Sequence, residues 1–222
     1  WGLDISQNPV TDYTIGMDTI DVMVSKMKEM PFPLYKIKLG TNQDIEIIEA
    51  LRKETDAIFR VDANTAWTVE QTLEFAPKLQ ALGVEFIEQP LKADQWEGMK
   101  RLKKESALPI IADESCITES DVAQCAEYFH GINIKLTKCS GITPARRMIT
   151  KARELNMKVM VGCMNESSVG TAAIAQLAPL LDVVDMDGPL LLSEDIATGV
   201  GFDYGKIVYQ DGPGLGIQIK PF

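Results

Sequence analysis

The sequence predicts a TIM-like (β/α)7β barrel, an α/β fold of eight parallel strands with helices between them. Three observations predict it. Eight short apolar runs rich in β-branched residues alternate with longer amphipathic segments, which is the alternation of a parallel sheet. Three of those runs close on an acidic residue, Asp62 in IFRVDAN, Glu88 in VEFIEQP and Asp113 in PIIADES. The intervals of 26 and 25 residues match one strand–helix unit. Finally, TIGMDTI (14–20) is a poor match to the glycine-rich phosphate loop that an open doubly wound sheet normally places after its first strand.

The runs are TDYTIGM (11–17), YKIKLG (35–40), IFRVDAN (58–64), VEFIEQP (84–90), PIIADES (109–115), GINIKLT (131–137), KVMVGCM (158–164) and VVDMDGP (183–189). Between the third and fourth, TVEQTLEFAPKLQALG (68–83) places Val69, Leu73, Leu79 and Leu82 at helical spacing, with Gly83 as its stop. Pro77 inside it should perturb the helix locally. After the eighth run LLLSEDIATG (190–199) is short, so the last barrel helix is expected to be short or replaced. GKIVYQDGPGLGIQIKPF reads as extended and turn-rich. WGLDISQNP reads as a connector entering a strand and not as a natural start. These readings divide the chain into a connector over 1–10, a barrel catalytic domain over 11–199 and an extended C-terminal tail over 200–222.

At 222 residues the chain fits one large domain. Its 45% hydrophobic content supplies a core and excludes disorder. A net charge of −10 argues against nucleic acid and anionic membranes as partners. No apolar stretch approaches the roughly 20 residues that span a bilayer, and the first residues are no secretory signal. Cys116, Cys125, Cys139 and Cys163 form no CxxC pair, so reduced thiols and a cytoplasmic location are expected.

In such a barrel the strand ends face the mouth. They offer Thr14, then Lys36 and Lys38, then Asp62, Glu88 and Asp113, then Lys135, then Cys163 and Asn165, and last Asp185 and Asp187. Hard carboxylate oxygens on three successive strands suit one Mg²⁺. Period-2 alternation puts Lys36 and Lys38 on one face, and two inward lysines need anions to offset their burial. Lys135 comes from roughly the opposite wall. A metal with an amine on either side suits removal of a proton from the carbon beside a carboxylate, where a dianionic enediolate must be stabilised. A lysine crowded by Mg²⁺ and a second ammonium is expected to have a lowered pKa and to act as base. A second lysine opposite can return the proton with inverted configuration.

KIKLG, VDANTAW, IEQPL, IADES, INIKLTKCSG and DMDGP together resemble the enolase superfamily, in its muconate-lactonizing-enzyme subgroup, over essentially the whole chain. The resemblance implies the superfamily's barrel, with Asp62, Glu88 and Asp113 as ligands of one Mg²⁺ per site. It implies Lys38 and Lys135 as the acid/base pair, with Lys36 holding the substrate carboxylate. It also implies a preceding α+β capping domain, absent from this chain, that closes the mouth, and assembly into a homo-oligomer. His130, the one histidine, precedes the sixth strand, so a histidine-based subgroup is not implied. The strand-8 pair Asp185 and Asp187 is similar to the aspartates with which dipeptide epimerases bind the free α-ammonium. Thr14, Cys163 and Asn165 fall where such enzymes line the substrate pocket. An isomerase acting on a small-molecule dipeptide of the L-Ala-D/L-Glu type is therefore expected. A cycloisomerase or o-succinylbenzoate synthase would use the same lysines and carboxylates, a Schiff-base aldolase would use a buried lysine without metal, and a non-catalytic barrel fragment is a further alternative. Lys138 lies past the strand end and is expected as a solvated loop charge. Asn64 and Glu114 are candidates for orienting the ligands. Ser140 stands where relatives often have glycine, an effect expected at the turn.

Overall fold

The computed structural model describes residues 1–221. Its eight runs form one parallel sheet with the strands in chain order: β1 (Tyr13–Ile15), β2 (Leu34–Lys38), β3 (Ile58–Asp62), β4 (Val84–Glu88), β5 (Ile110–Ala112), β6 (Gly131–Lys135), β7 (Lys158–Gly162) and β8 (Val183–Val184). Each of the first seven is followed by helix. These are α1 (Ile20–Glu29), α2 (Asp44–Arg52), α3 (Val69–Ala81), α4 (Trp96–Glu105), α5 (Asp121–Tyr128), the pair α6 (Leu136–Cys139) and α7 (Ile142–Glu154), and α8 (Ser168–Ala175). Only a 3-10 turn, Gly188–Leu191, follows β8, which gives the (β/α)7β barrel. The ring closes at a thin seam. One parallel bridge joins Thr11 to Val184, and the Met186 N–H donates to Thr11 Oγ1 at 3.0 Å.

Strands covered on both faces read as continuous apolar runs. The outward residues Ile37, Phe59, Val61, Ile87, Ile132, Ile134, Val159 and Val161 join the helices' inner faces in one core, to which α2 contributes Ile47, Ile48 and Leu51. Inside the ring Phe86, Ile111, Met160 and Val183 form a separate small cluster. Each such burial stabilises by about 1.5–3 kcal/mol. Two residues further along the same strands, on the same face, come Glu88, Asp113, Gly162 and Asp185. The apolar cluster is thus the floor of the site.

α3 continues through Pro77 without a break. A capping box between Thr68 and Gln71 secures its first turn, and Thr72, Ala76 and Leu79 anchor its inner face. Gly83 ends it with φ +78°, a conformation that favours glycine, and a Cβ there would lie 2.9 Å from Arg52 Nη2. The tail carries its own pairing. β9 (Ala197–Thr198) pairs with β12 (Gln218–Ile219), and β10 (Gly201–Asp203) with β11 (Lys206–Val208) as a hairpin. The Thr11 N–H donates to Gly205 O at 2.8 Å, tying that hairpin to the seam. Residue 222 lies outside the described residues. Among the described residues no helix is long and apolar enough to cross a membrane.

Candidate active site

The ends of β3, β4 and the turn after β5 bring Asp62, Glu88 and Asp113 together, all buried, with a ligand oxygen of each within 4.8 Å of the others. Three hard anionic oxygens at that spacing, on a low-dielectric floor, fit Mg²⁺. Four ammonium groups converge on them. Lys36 Nζ is buried at 2.8 Å from Glu88 Oε2, 3.2 Å from Asp62 Oδ2 and 3.0 Å from Asp185 Oδ2. Lys38 Nζ, partly exposed, reaches Asp62 Oδ2 at 2.7 Å. Lys135 Nζ lies 2.6 Å from Asp113 Oδ2, and Lys138 Nζ lies 2.8 Å from Asp113 Oδ1. Since β2 and β6 stand four strands apart in a ring of eight, Lys38 and Lys135 approach from opposite walls.

Counting Asp185 and Asp187, five carboxylates face these four lysines, and the surplus of negative charge favours a further cation. The effect on each group differs. Burial alone would raise Asp62, but the Lys36 and Lys38 ammoniums outweigh it and hold the carboxyl well below its ordinary value. Burial and then the Asp62 charge push Glu88 up to about 7. Burial would lower Lys135, yet Asp113 outweighs it and raises the group above its ordinary value.

Asp185 and Asp187 leave β8 on one face. Lys36 lowers Asp185 against its burial, whereas burial and then the Asp185 charge push Asp187 up to about 7. The Thr14 N–H donates to Asp187 Oδ2 at 2.6 Å across the seam. Cys163 Sγ is 3.9 Å from Asp185 Oδ1 and 3.7 Å from Asp187 Oδ1. Burial and these two charges raise the thiol, which disfavours a thiolate nucleophile. Asn165 is exposed at the rim. Thr14, Lys36, Lys38, Lys135, Cys163, Asn165, Asp185 and Asp187 all line one mouth cavity of about 290 Å³.

Lys138 corrects the sequence reading, because it is an ion-pair partner of Asp113 and not a solvated loop charge. α6 starts directly at the end of β6, so Lys138, one helical turn after Lys135, returns to the same carboxylate. The Asn64 backbone N–H, and not its side chain, donates to Asp62 Oδ1 at 3.0 Å. Ser140 adopts φ +71°, which is the turn conformation glycine would take without strain. Glu114 lines the cavity; burial and then Asp113 raise it.

Three residues were not singled out from the sequence. Asn133 Nδ2 donates to Glu88 Oε1 at 2.7 Å; its position two before Lys135 was the available signal. Gln89 is buried, and its Oε1 accepts the Asp113 and Ser115 N–H groups at 2.9 and 3.2 Å. Arg60, two before Asp62, pairs with buried Asp12 at 2.9 Å. Burial, then Asp185, raises Asp12 well above its ordinary value.

This arrangement has counterparts among known proteins. The family model for Enolase C-terminal domain-like proteins matches residues 20–222. The chain is 58% identical over 219 residues to the L-Ala-D/L-amino acid epimerase of Flavobacterium johnsoniae, covering 99% of this chain and 65% of that protein. In structure it is similar to the substrate-liganded complex of the L-Ala-D/L-Glu epimerase from Bacillus subtilis, with a TM-score of 0.88 and 30% identity over 94% of this chain and 62% of that one. It is also similar to the dipeptide epimerase from Cytophaga hutchinsonii complexed with Mg and the dipeptide D-Ala-L-Val, with a TM-score of 0.91 and 28% identity over 99% and 63%. The chain spans about two thirds of the length of these relatives.

Proposed function

Because this chain belongs to the Enolase C-terminal domain-like family, we propose that it is the barrel of a Mg²⁺-dependent dipeptide epimerase. Its reaction removes and returns the α-proton beside the C-terminal carboxylate of a dipeptide of the L-Ala-D/L-Glu type. The observation that carries this reading is the pair Lys38 and Lys135, four strands apart yet bonded to one carboxylate cluster.

One lysine, as the free amine, takes the α-proton from one face of the substrate. The other, as the ammonium, delivers a proton to the opposite face, which inverts the configuration. The roles exchange for the reverse direction. Asp62, Glu88 and Asp113 would hold Mg²⁺, which when bound supplies fixed positive charge against the second negative charge the substrate carboxylate group acquires. Lys36, buried among three carboxylates, keeps the floor from accumulating anionic charge.

Asp185 and Asp187 bind the dipeptide's α-ammonium. A cation beside them offsets the burial and the Asp185 charge that lift Asp187. This pair favours a dipeptide over the cycloisomerase and o-succinylbenzoate synthase readings, whose substrates carry no ammonium. The Flavobacterium relative's name, an L-Ala-D/L-amino acid epimerase, supports alanine as the first residue. Met17, Met164 and Leu191 at the rim are each about half exposed, which supports a further covering domain closing the mouth. Four unpaired cysteines support a cytoplasmic location.

Proton NMR of a dipeptide panel led by L-Ala-D-Glu and L-Ala-L-Glu, in D₂O with Mg²⁺ and the full-length protein, tests the function. The expected result is loss of the C-terminal residue's α-proton signal with growth of the other diastereomer. Absence of exchange with every dipeptide would refute it.

A further inference from the structure

Asn133 is fully buried, and its amide is only half satisfied. Nδ2 donates to Glu88 Oε1 at 2.7 Å, while Oδ1 is buried without a partner. An orphaned buried acceptor is costly, and leucine would fill a similar volume without that cost. The space for the amide is also specific. A Cβ on Gly162 of β7 would lie 2.8 Å from both Asn133 Nδ2 and Oδ1, so the amide lies flat over a backbone that admits no side chain. Two strands therefore give up packing so that one neutral donor reaches Glu88.

Glu88 needs a donor of this kind. Its Oε2 stands on the Lys36 and Asp62 side, 2.8 Å from Lys36 Nζ but accepting no hydrogen bond. A second ammonium on Oε1 would add charge that competes with a metal, whereas an amide adds direction without charge.

We propose that Asn133 is a positioning residue that fixes Glu88 as a one-oxygen ligand, tying off Oε1 and leaving Oε2 to the cation, with Gly162 as the space that lets it do so. The inference rests on the Mg²⁺ reading above. Asn133 touches neither substrate nor metal and acts through Glu88 alone.

The test is Mn²⁺ binding, read by electron paramagnetic resonance on the metal-free protein, for the parent chain, Asn133→Leu and Gly162→Ala. Partners that orient a metal ligand typically contribute ten- to hundredfold in affinity. Both variants should therefore weaken Mn²⁺ binding about tenfold to a hundredfold. The metal-free melting temperature of Asn133→Leu should change little, because removing the orphan Oδ1 offsets the loss of the Nδ2 bond to Glu88 Oε1. In steady state the Mg²⁺ concentration for half-maximal rate should rise, and saturating Mg²⁺ should restore most of kcat. Mn²⁺ affinities within twofold of the parent in folded variants would overturn the proposal. If Asn133→Leu does not fold, the smaller Gly162→Ala decides. A parent chain that takes up no Mn²⁺ would instead overturn the metal reading on which the inference stands.

Discussion

Asp187→Asn separates the reading of β8 as a cation-binding site from a reading in which its aspartates only shape a turn. Asp187 is nearly isosteric with asparagine, and the amide oxygen can still accept the Thr14 N–H that Oδ2 accepts at 2.6 Å. What changes is charge. Burial and the Asp185 carboxylate lift Asp187 from its ordinary 3.8 to about 7. The folded protein therefore binds more protons than the unfolded chain between those pH values, and stability falls as pH rises through that window. The full gap is worth about 4 kcal/mol at pH 8. The asparagine amide's own burial cost offsets part of it, leaving about 1–3 kcal/mol to be recovered by the substitution. For a chain of this size each kcal/mol moves Tm by about 2–4 °C. Thermal unfolding of the metal-free protein at pH 5 and pH 8 should thus show Asp187→Asn more stable than the parent at pH 8 by about 2–12 °C, with the difference shrinking at pH 5. The same variant should raise KM for an Ala-containing dipeptide at least tenfold. In the parent, KM should fall as pH rises toward 7, because the ionised form binds the ammonium. A variant that is no more stable at pH 8 and shows unchanged KM would refute the reasoning.

Lys38→Met and Lys135→Met should each lower epimerisation by about 10²–10⁴-fold, and each should leave solvent exchange with only one diastereomer in D₂O. Exchange with both in either variant would remove the two-base assignment. Mg²⁺ at a hundred times its Kd should stabilise the protein by about 2.7 kcal/mol and raise Tm accordingly, an effect that Asp113→Asn should abolish; a Tm indifferent to Mg²⁺ would count against the carboxylate site. Arg60→Met leaves Asp12 buried without its 2.9 Å partner and should cost about 3 kcal/mol in urea unfolding, most of it recovered when Asp12→Asn is added. Additive losses in the double variant would show that the pair is uncoupled.

The strand ends were legible because an acidic residue closing an apolar run conflicts with its surroundings, and Asp62, Glu88 and Asp113 do so at one spacing. Lys36 and Lys38 were legible by the period of two. Partners chosen in three dimensions were not. Asn133 meets a carboxylate 45 residues away, and Gln89 completes its bonds with the loop beyond β5. Period alone cannot show which polar residue inside a core strand lacks its own acceptor or donor. Lys138 was misread because α6 begins without a loop.

The seam between β1 and β8 has a consequence for how the protein is made and held shut. The first and last strands of the ring meet through one bridge at Thr11 and the contact from Thr14 to Asp187, and the aspartates proposed to bind the ammonium stand on that join. During synthesis the pocket proposed for the dipeptide's amino end is completed only when β8 emerges, long after Asp62, Glu88 and Asp113 have been made. Once assembled, any cation drawn to Asp187 also clasps the two ends of the ring. Substrate occupancy should therefore slow amide hydrogen exchange first at Thr14 and Met186, so that the clasp of the barrel and the grip on its substrate strengthen as one.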